Sequence, residues 1–212
     1  MPFAERVDAV TVDAFGTLVE LREPYDRLRD ALAERGVERS REDVARAFAA
    51  EVAYYLPRAH EGRDADSLRR LRRECAGVFL GELGTDLDPV EFAPAFVGAL
   101  EFRMLPGAGN ALRRLRAAGL TLACVGNWDV SLPQHLESVG LARFFAALVS
   151  SADAGAPKPD PRPFRLALTR LGVEPGRALH VGDSETDRDG ALDAGLAFEP
   201  APLATLPARL GL

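Results

Sequence analysis

The chain predicts an α/β fold: a mostly parallel sheet with helices on both faces, interrupted near its start by an inserted helical bundle. Three observations predict it. The run Val10-Thr11-Val12-Asp13 is apolar and β-branched, then stops at a carboxylate followed by Gly16, the pattern of a buried strand ending in a sharp turn. From Leu105 onward helical and strand patterns alternate, with glycine closing successive helices at Gly119, Gly140, Gly172 and Gly195. Glycine is favoured just past a helix end, and repetition of that device marks αβ units. Between these regions, residues 21–102 carry helical spacing with no convincing strand.

The first strand places Asp13 at its carboxyl end, the usual ligand position in open α/β sheets. Four helices follow. One spans about 24–35 and closes at Gly36; the next opens at Ser40 with Asp43 three residues on, a capping-box arrangement, and continues to about 58. A third covers about 66–83, and a fourth opens at Asp88-Pro89, a cap followed by proline at the first helical position. Val44, Phe48, Val52, Tyr55 and Leu56 recur at helical spacing. Beyond them come a helix at about 107–118 and strands at about 120–125, 146–150 and 177–182. The Pro- and Ala-rich tail from Pro200 ends in one short helix. The expected organisation is a core made of residues 1–20 with 103–212, and a helical block of residues 21–102.

A net charge of −6 argues against a nucleic-acid footprint, and no apolar stretch reaches membrane-spanning length. Cys75 and Cys124 are too few for a disulfide framework and too isolated for a zinc site. A cytoplasmic protein acting on a small molecule is expected, with oligomeric state open. Lys158 is the only lysine among the 26 basic residues. A compact, reorientable ammonium differs chemically from the forked guanidinium used everywhere else.

Four segments stand at strand ends: Asp13-Ala-Phe-Gly-Thr17, Val125-Gly-Asn-Trp-Asp129, Gly155-Ala-Pro-Lys-Pro-Asp160 and Val181-Gly-Asp-Ser-Glu-Thr-Asp187. In a parallel sheet these ends share one edge, so three carboxylates meet in a small volume. Like charges so close stay ionised only with a cation among them. Oxygen-only donors with no His or Cys nearby favour magnesium.

In order and spacing, these segments resemble the motifs of the haloacid dehalogenase superfamily of hydrolases, over roughly residues 5–20 and 103–198. The helical block resembles that superfamily's cap. The resemblance implies a Rossmann-like core, a closing cap, and Asp13 as nucleophile forming an aspartyl intermediate. It also implies magnesium held by Asp13, the Phe15 carbonyl, Asp183 and Asp187, with Ser184 orienting the last pair. Thr17 would orient Asp13 and bind the substrate oxyanion together with Asn127 and backbone groups around Gly126. Lys158 would neutralise nucleophile and transferring group.

Two positions depart from the pattern. Most phosphatases of the superfamily have a general-acid aspartate two residues after the nucleophile, where this chain has Phe15. Loss of such a group costs on the order of 10²–10⁴ in rate, which favours leaving groups that depart without a proton. Gly126 replaces a residue that is often Ser or Thr. The expected activity is magnesium-dependent and phosphatase-type. The alternatives are a metal-independent 2-haloacid dehalogenase, in which Asp13 displaces halide, and a catalytically weak binding protein. Asp189, Asp193 and the paired arginines at 69–70 and 72–73 read as solvated surface, Trp128 as packing, and His180 as an ordinary strand residue.

Overall fold

β1 (Ala9–Val12) is buried along its whole length at the centre of a five-stranded sheet. The computed structural model describes residues 7–212, so the expected place of residues 1–6 in the core lies outside the described residues. The strand order is β5 (Ala147–Ser150), β4 (Thr121–Gly126), β1, β6 (Ala178–Gly182), β7 (Ala197–Pro200), and every pairing is parallel. All five carboxyl ends therefore open on one edge. This is the Rossmann-like α/β arrangement with an inserted helical block.

Alternation along β1 explains the two covered faces. Val10 and Val12 pack with Leu112 and Leu115 of α5 (Ala108–Ala117) and with Leu136 of α6 (Leu132–Ser138). Ala9 points the other way, into a cluster with Val125, Val149 and Phe164 of α8 (Arg162–Leu171). The edge strand β7 has no counterpart in the sequence reading. It is half exposed and ends in Pro200, which an edge tolerates because one side of the ladder needs no donor.

The four helices between the first strand and the rest are α1 (Pro24–Ala33), α2 (Arg41–Tyr55), α3 (Ala65–Glu82) and α4 (Pro89–Ala99). Ser40 and Asp88 accept from the first-turn amides of α2 and α4, as their positions predict. Asp64 and Ser67 form a reciprocal capping box on α3. These helices enclose a core of their own, including Leu28, Val44, Phe79 and Phe96, with the Phe79 and Phe96 ring centroids 5.1 Å apart.

Two local expectations are corrected. α2 stops at Tyr55 rather than near 58, because Pro57 has no amide to extend the ladder; a short turn at Ala59–Glu61 follows. The insertion also has a strand at each end: β2 (Val19–Leu21) and β3 (Phe102–Met104) form an antiparallel ribbon with Val19 opposite Met104. Three residues are too few to carry a period that a sequence reading could detect.

Candidate active site

The carboxyl edge brings together the side chains that the four segments offer. Asp13 follows β1 and is tied down by its own amide, which donates to the Val181 carbonyl at 2.8 Å. Gly16 adopts φ +84°, and a Cβ there would overlap the Asp183 carboxylate. Gly182 has the same logic at the end of β6: a Cβ would overlap Asp187. Glycine at both places lets two chain segments approach closely enough to cluster three acids. Asp13, Asp183 and Asp187 each present an oxygen, all within 4.8 Å of one another.

Lys158 lies on the loop between α7 (Ser151–Ala154) and α8. Its Nζ donates to Asp13 Oδ1 and Asp187 Oδ1, both at 2.5 Å, and to the Val125 carbonyl at 2.9 Å. All three ammonium protons are thus used inside the protein. The loop is held by Asn127, whose side-chain Oδ1 accepts from the Lys158 amide at 2.7 Å while its Nδ2 donates to the Lys158 carbonyl at 3.1 Å. Asn127 therefore positions Lys158 and keeps one amide proton for a further acceptor. It does not cap α6, whose leading residue is Ser131.

Asp187 is the anchor of the cluster. Ser184 Oγ donates to its Oδ2 at 2.5 Å as the cap of α9 (Glu185–Asp193), and His180 Nε2 stands 3.2 Å from Oδ1. A carboxylate only accepts, so the His180 ring carries its proton on Nε2 and accepts at Nδ1 from the Thr11 hydroxyl, 2.8 Å away. Burial holds His180 down at about 4, in its neutral form. Burial opposes ionisation of Asp187 too, but the His180 hydrogen bond and the Lys158 charge hold it well below the usual carboxylate range. Asp13 goes the other way. Burial pushes it up to about 7 against the Lys158 charge, with the Asp187 and Asp183 carboxylates adding to the rise. Burial and Asp187 also raise Asp183. Three acids facing one ammonium leave an excess of negative charge that a divalent cation would relieve.

Asp13 Oδ2 and Thr17 Oγ1 are buried without a hydrogen-bond partner among the described residues. Thr17 does not hold Asp13, contrary to the expectation that it orients the carboxylate; it lines a separate, smaller pocket next to Gly16. The Phe15 ring is half exposed and faces the same cavity. Gly126 lies over Ala14, where an added Cβ would stand 3.1 Å from the Ala14 methyl, a physical reason for the missing hydroxyl. Asp189 and Asp193 lie on the exposed face of α9 as read from sequence. His180 was missed as a site residue, because a buried strand histidine gives no spacing signal.

Above the cluster, a cavity of about 790 Å³ runs up between the sheet edge and the helices. Its floor is polar and its roof is apolar, with Phe48, Tyr55 and Phe96 from the helices and Leu100 just past the end of α4. The roof is fastened down by Tyr55, whose hydroxyl donates to Asp129 Oδ2 at 3.0 Å and accepts from the Asp129 amide at 3.2 Å. The Val130 amide donates to the Gly62 carbonyl at 2.9 Å. Trp128 packs on Phe102 with ring centroids 4.9 Å apart, in keeping with a packing role. Arg72 is half buried and lines the cavity, which corrects its reading as surface; Arg69, Arg70 and Arg73 are exposed. A smaller pocket of about 360 Å³ near Gly16, Leu105 and Ala201 is lined by no titratable side chain.

One roof residue is acidic. Glu51 is only 4% exposed, and burial pushes its carboxyl up to about 7 against a hydrogen bond with Cys75. A carboxyl raised on folding makes the native state bind more protons than the unfolded chain between its two pKa values. Stability therefore falls as pH rises through that window. Glu51→Gln is expected to melt near wild type at pH 4.5. At pH 8 it should be more stable by on the order of 2 kcal/mol, measured by denaturant or thermal unfolding at both pH values.

A family model described as haloacid dehalogenase-like hydrolase matches residues 7–195. The bovine (Bos taurus) haloacid dehalogenase-like hydrolase domain-containing protein 3 is 45% identical over 107 residues, 48% of this chain and 43% of that protein. A phosphoglycolate phosphatase of Rhodospirillum rubrum is 37% identical over 154 residues, 72% of this chain and 56% of the relative. The matched stretch thus spans about half the length of these relatives. Among solved structures, the L-2-haloacid dehalogenase of Xanthobacter autotrophicus, with chloropropionic acid covalently bound, is 28% identical with a TM-score of 0.66. That match covers 91% of this chain and 76% of the dehalogenase.

Proposed function

This chain belongs to the haloacid dehalogenase-like hydrolase family, and on that premise we propose that it is a magnesium-dependent, phosphatase-type hydrolase working through an aspartyl intermediate on Asp13. The observation that carries this reading is the buried ammonium of Lys158 held 2.5 Å from both Asp13 and Asp187, with Asp183 completing the acidic cluster. In this reading residues 1–20 with 103–212 form the catalytic core, and residues 21–102 form a cap over it.

Asp13 attacks with Oδ2, the oxygen without a hydrogen bond, while Oδ1 stays on Lys158. A bond forms between Oδ2 and phosphorus, the bond from phosphorus to the leaving oxygen breaks, and the electron pair departs with that oxygen. Lys158, the free amide proton of Asn127 and the backbone around Gly126 stabilise the charge on the transferring group. Water then attacks phosphorus, the bond from phosphorus to Oδ2 breaks with its electron pair returning to the Asp13 carboxylate, and the phosphate leaves carrying the water's oxygen and both its protons. Phe15 gives no proton to the leaving oxygen, so groups that leave readily as anions react fastest. Asp13, Asp183 and the Phe15 carbonyl would hold magnesium, which when bound neutralises the carboxylate excess and the phosphoryl oxygens. Both oxygens of Asp187 are engaged by Lys158, His180 and Ser184, which suits it to holding the ion through water.

Phe15 favours a second reading, halide displacement from a 2-haloacid, which needs neither proton donor nor metal. Asp183 and Asp187 speak against it, because they add negative charge where a haloacid carboxylate would have to sit. The two readings separate in one assay. Phosphate release from p-nitrophenyl phosphate is expected with magnesium and is expected to vanish with EDTA. Chloride release from 2-chloropropionate in EDTA would establish the dehalogenase instead.

A further inference from the structure

We infer that Glu51 reads the far end of the substrate, and that the site takes an aryl phosphate whose ring lies under the aromatic roof and whose distal end carries an amine. The phosphoryl end of this assignment rests on the phosphatase reading above; the distal end rests on Glu51 itself.

Glu51 occupies a core position. On α2, the residues facing inward include Val44, Ala47, Phe48 and Glu51, and the acid stands where spacing and neighbours call for a hydrocarbon. No arginine or lysine pairs with it among the described residues, and the one group that holds its carboxyl down against burial is the Cys75 thiol. Arg72 lines the same cavity without forming an ion pair to it. A buried carboxyl with no cationic partner costs folding free energy, and an apolar residue of similar size would pack there more favourably. Glu51 borders the cavity that also holds Asp13 and Lys158. A ligand entering that cavity can supply the missing partner.

The rest of the cavity specifies what lies between. About 790 Å³ is the size of a site for a drug-sized ligand, far larger than a two- or three-carbon acid needs. Its walls include the rings of Phe15, Phe48, Tyr55, Phe96, Phe102 and Trp128, which suit a flat aromatic body. The leaving group points the same way. With phenylalanine at position 15 no side chain protonates the departing oxygen, and a phenolate, whose conjugate acid has a pKa of about 10, leaves as the anion far more readily than an alkoxide. Among groups able to satisfy Glu51, an ammonium gains most, since it returns a counter-charge to an acid buried without one.

The test uses the full chain at pH 8 and needs no turnover for its first arm. Calorimetric titration with tyramine and with 4-ethylphenol, which lacks the amine, is expected to show tyramine binding about tenfold or more tighter. In Glu51→Gln the two should differ by less than about twofold; Glu51→Leu serves the same purpose, and a melting curve verifies folding of each variant. Equal affinities in wild type, or a tyramine preference that survives both substitutions, would overturn the assignment. The second arm compares kcat/KM for O-phosphotyramine and 4-ethylphenyl phosphate, with the same preference expected. If tyramine is preferred in binding while neither phosphate is hydrolysed, Glu51 keeps its role and the phosphatase reading fails.

Discussion

Asp13→Asn is expected to lower turnover about 10⁴-fold or more while leaving the fold intact. An amide cannot form the aspartyl intermediate, and removal of a covalent nucleophile is among the costliest single changes an active site can suffer. The structure also predicts what happens to stability. Burial together with Asp187 and Asp183 raises the Asp13 carboxyl to about 7, so its ionised form is disfavoured in the native state. Such a group lowers stability as pH rises through that value. Replacing it by the isosteric amide removes the repulsion and leaves Lys158 paired with Asp187. The melting temperature of Asp13→Asn at pH 8 should therefore equal or exceed that of wild type. A variant that retains activity would end the nucleophile assignment, whereas one that fails to fold would place Asp13 in the scaffold.

Lys158→Met should be damaging in both respects. It leaves Asp13 and Asp187 buried and without their shared counter-charge, and breaking a buried pair by removing one partner typically costs about 3–5 kcal/mol. Turnover should fall about 10³-fold or more, because the ammonium no longer balances the charge that develops on the transferring group. Lys158→Arg is the sharper experiment. This chain uses arginine at every other basic position, yet Nζ fits among three acceptors in a fully buried site. A planar guanidinium presents its protons in a fork and needs more room. The arginine variant is expected to lose at least about 10²-fold in kcat, measured with p-nitrophenyl phosphate and magnesium. Wild-type kcat in that variant would mean that any cation suffices there.

Much of the fold was legible because its devices are local. Ser40, Asp88 and the glycines closing the helices act within a turn of where they stand, so their residue types suffice to locate helix ends. The four strand-end segments were legible for the same reason, and parallel pairing then gathers them on one edge. The β2–β3 ribbon was invisible, because two three-residue strands whose paired residues stand 81 to 85 positions apart announce nothing until they pair. The Tyr55–Asp129 contact and the His180–Asp187 contact were hidden in a different way. Each joins a residue that reads as ordinary packing or turn chemistry to a partner whose nearness only the tertiary fold creates. Asn127 shows the intermediate case: its place beside the site was readable, but its grip on the Lys158 peptide was not. Glu51 left a trace in the sequence, an acid on the apolar face of α2, that gains meaning only from the cavity beneath it.

The most direct measurement is a single-turnover reaction with p-nitrophenyl phosphate and magnesium, quenched in acid and digested with trypsin. Cleavage after Arg6 and Arg22 isolates residues 7–22, which contain Asp8 and Asp13. Because an acyl phosphate hydrolyses at the pH of digestion, the quenched protein is reduced with borohydride before trypsin is added, and fragmentation mass spectrometry of that peptide should then find homoserine in place of Asp13. p-Nitrophenol release with Asp13 unmodified at every time point, or homoserine in place of another aspartate, would contradict the account.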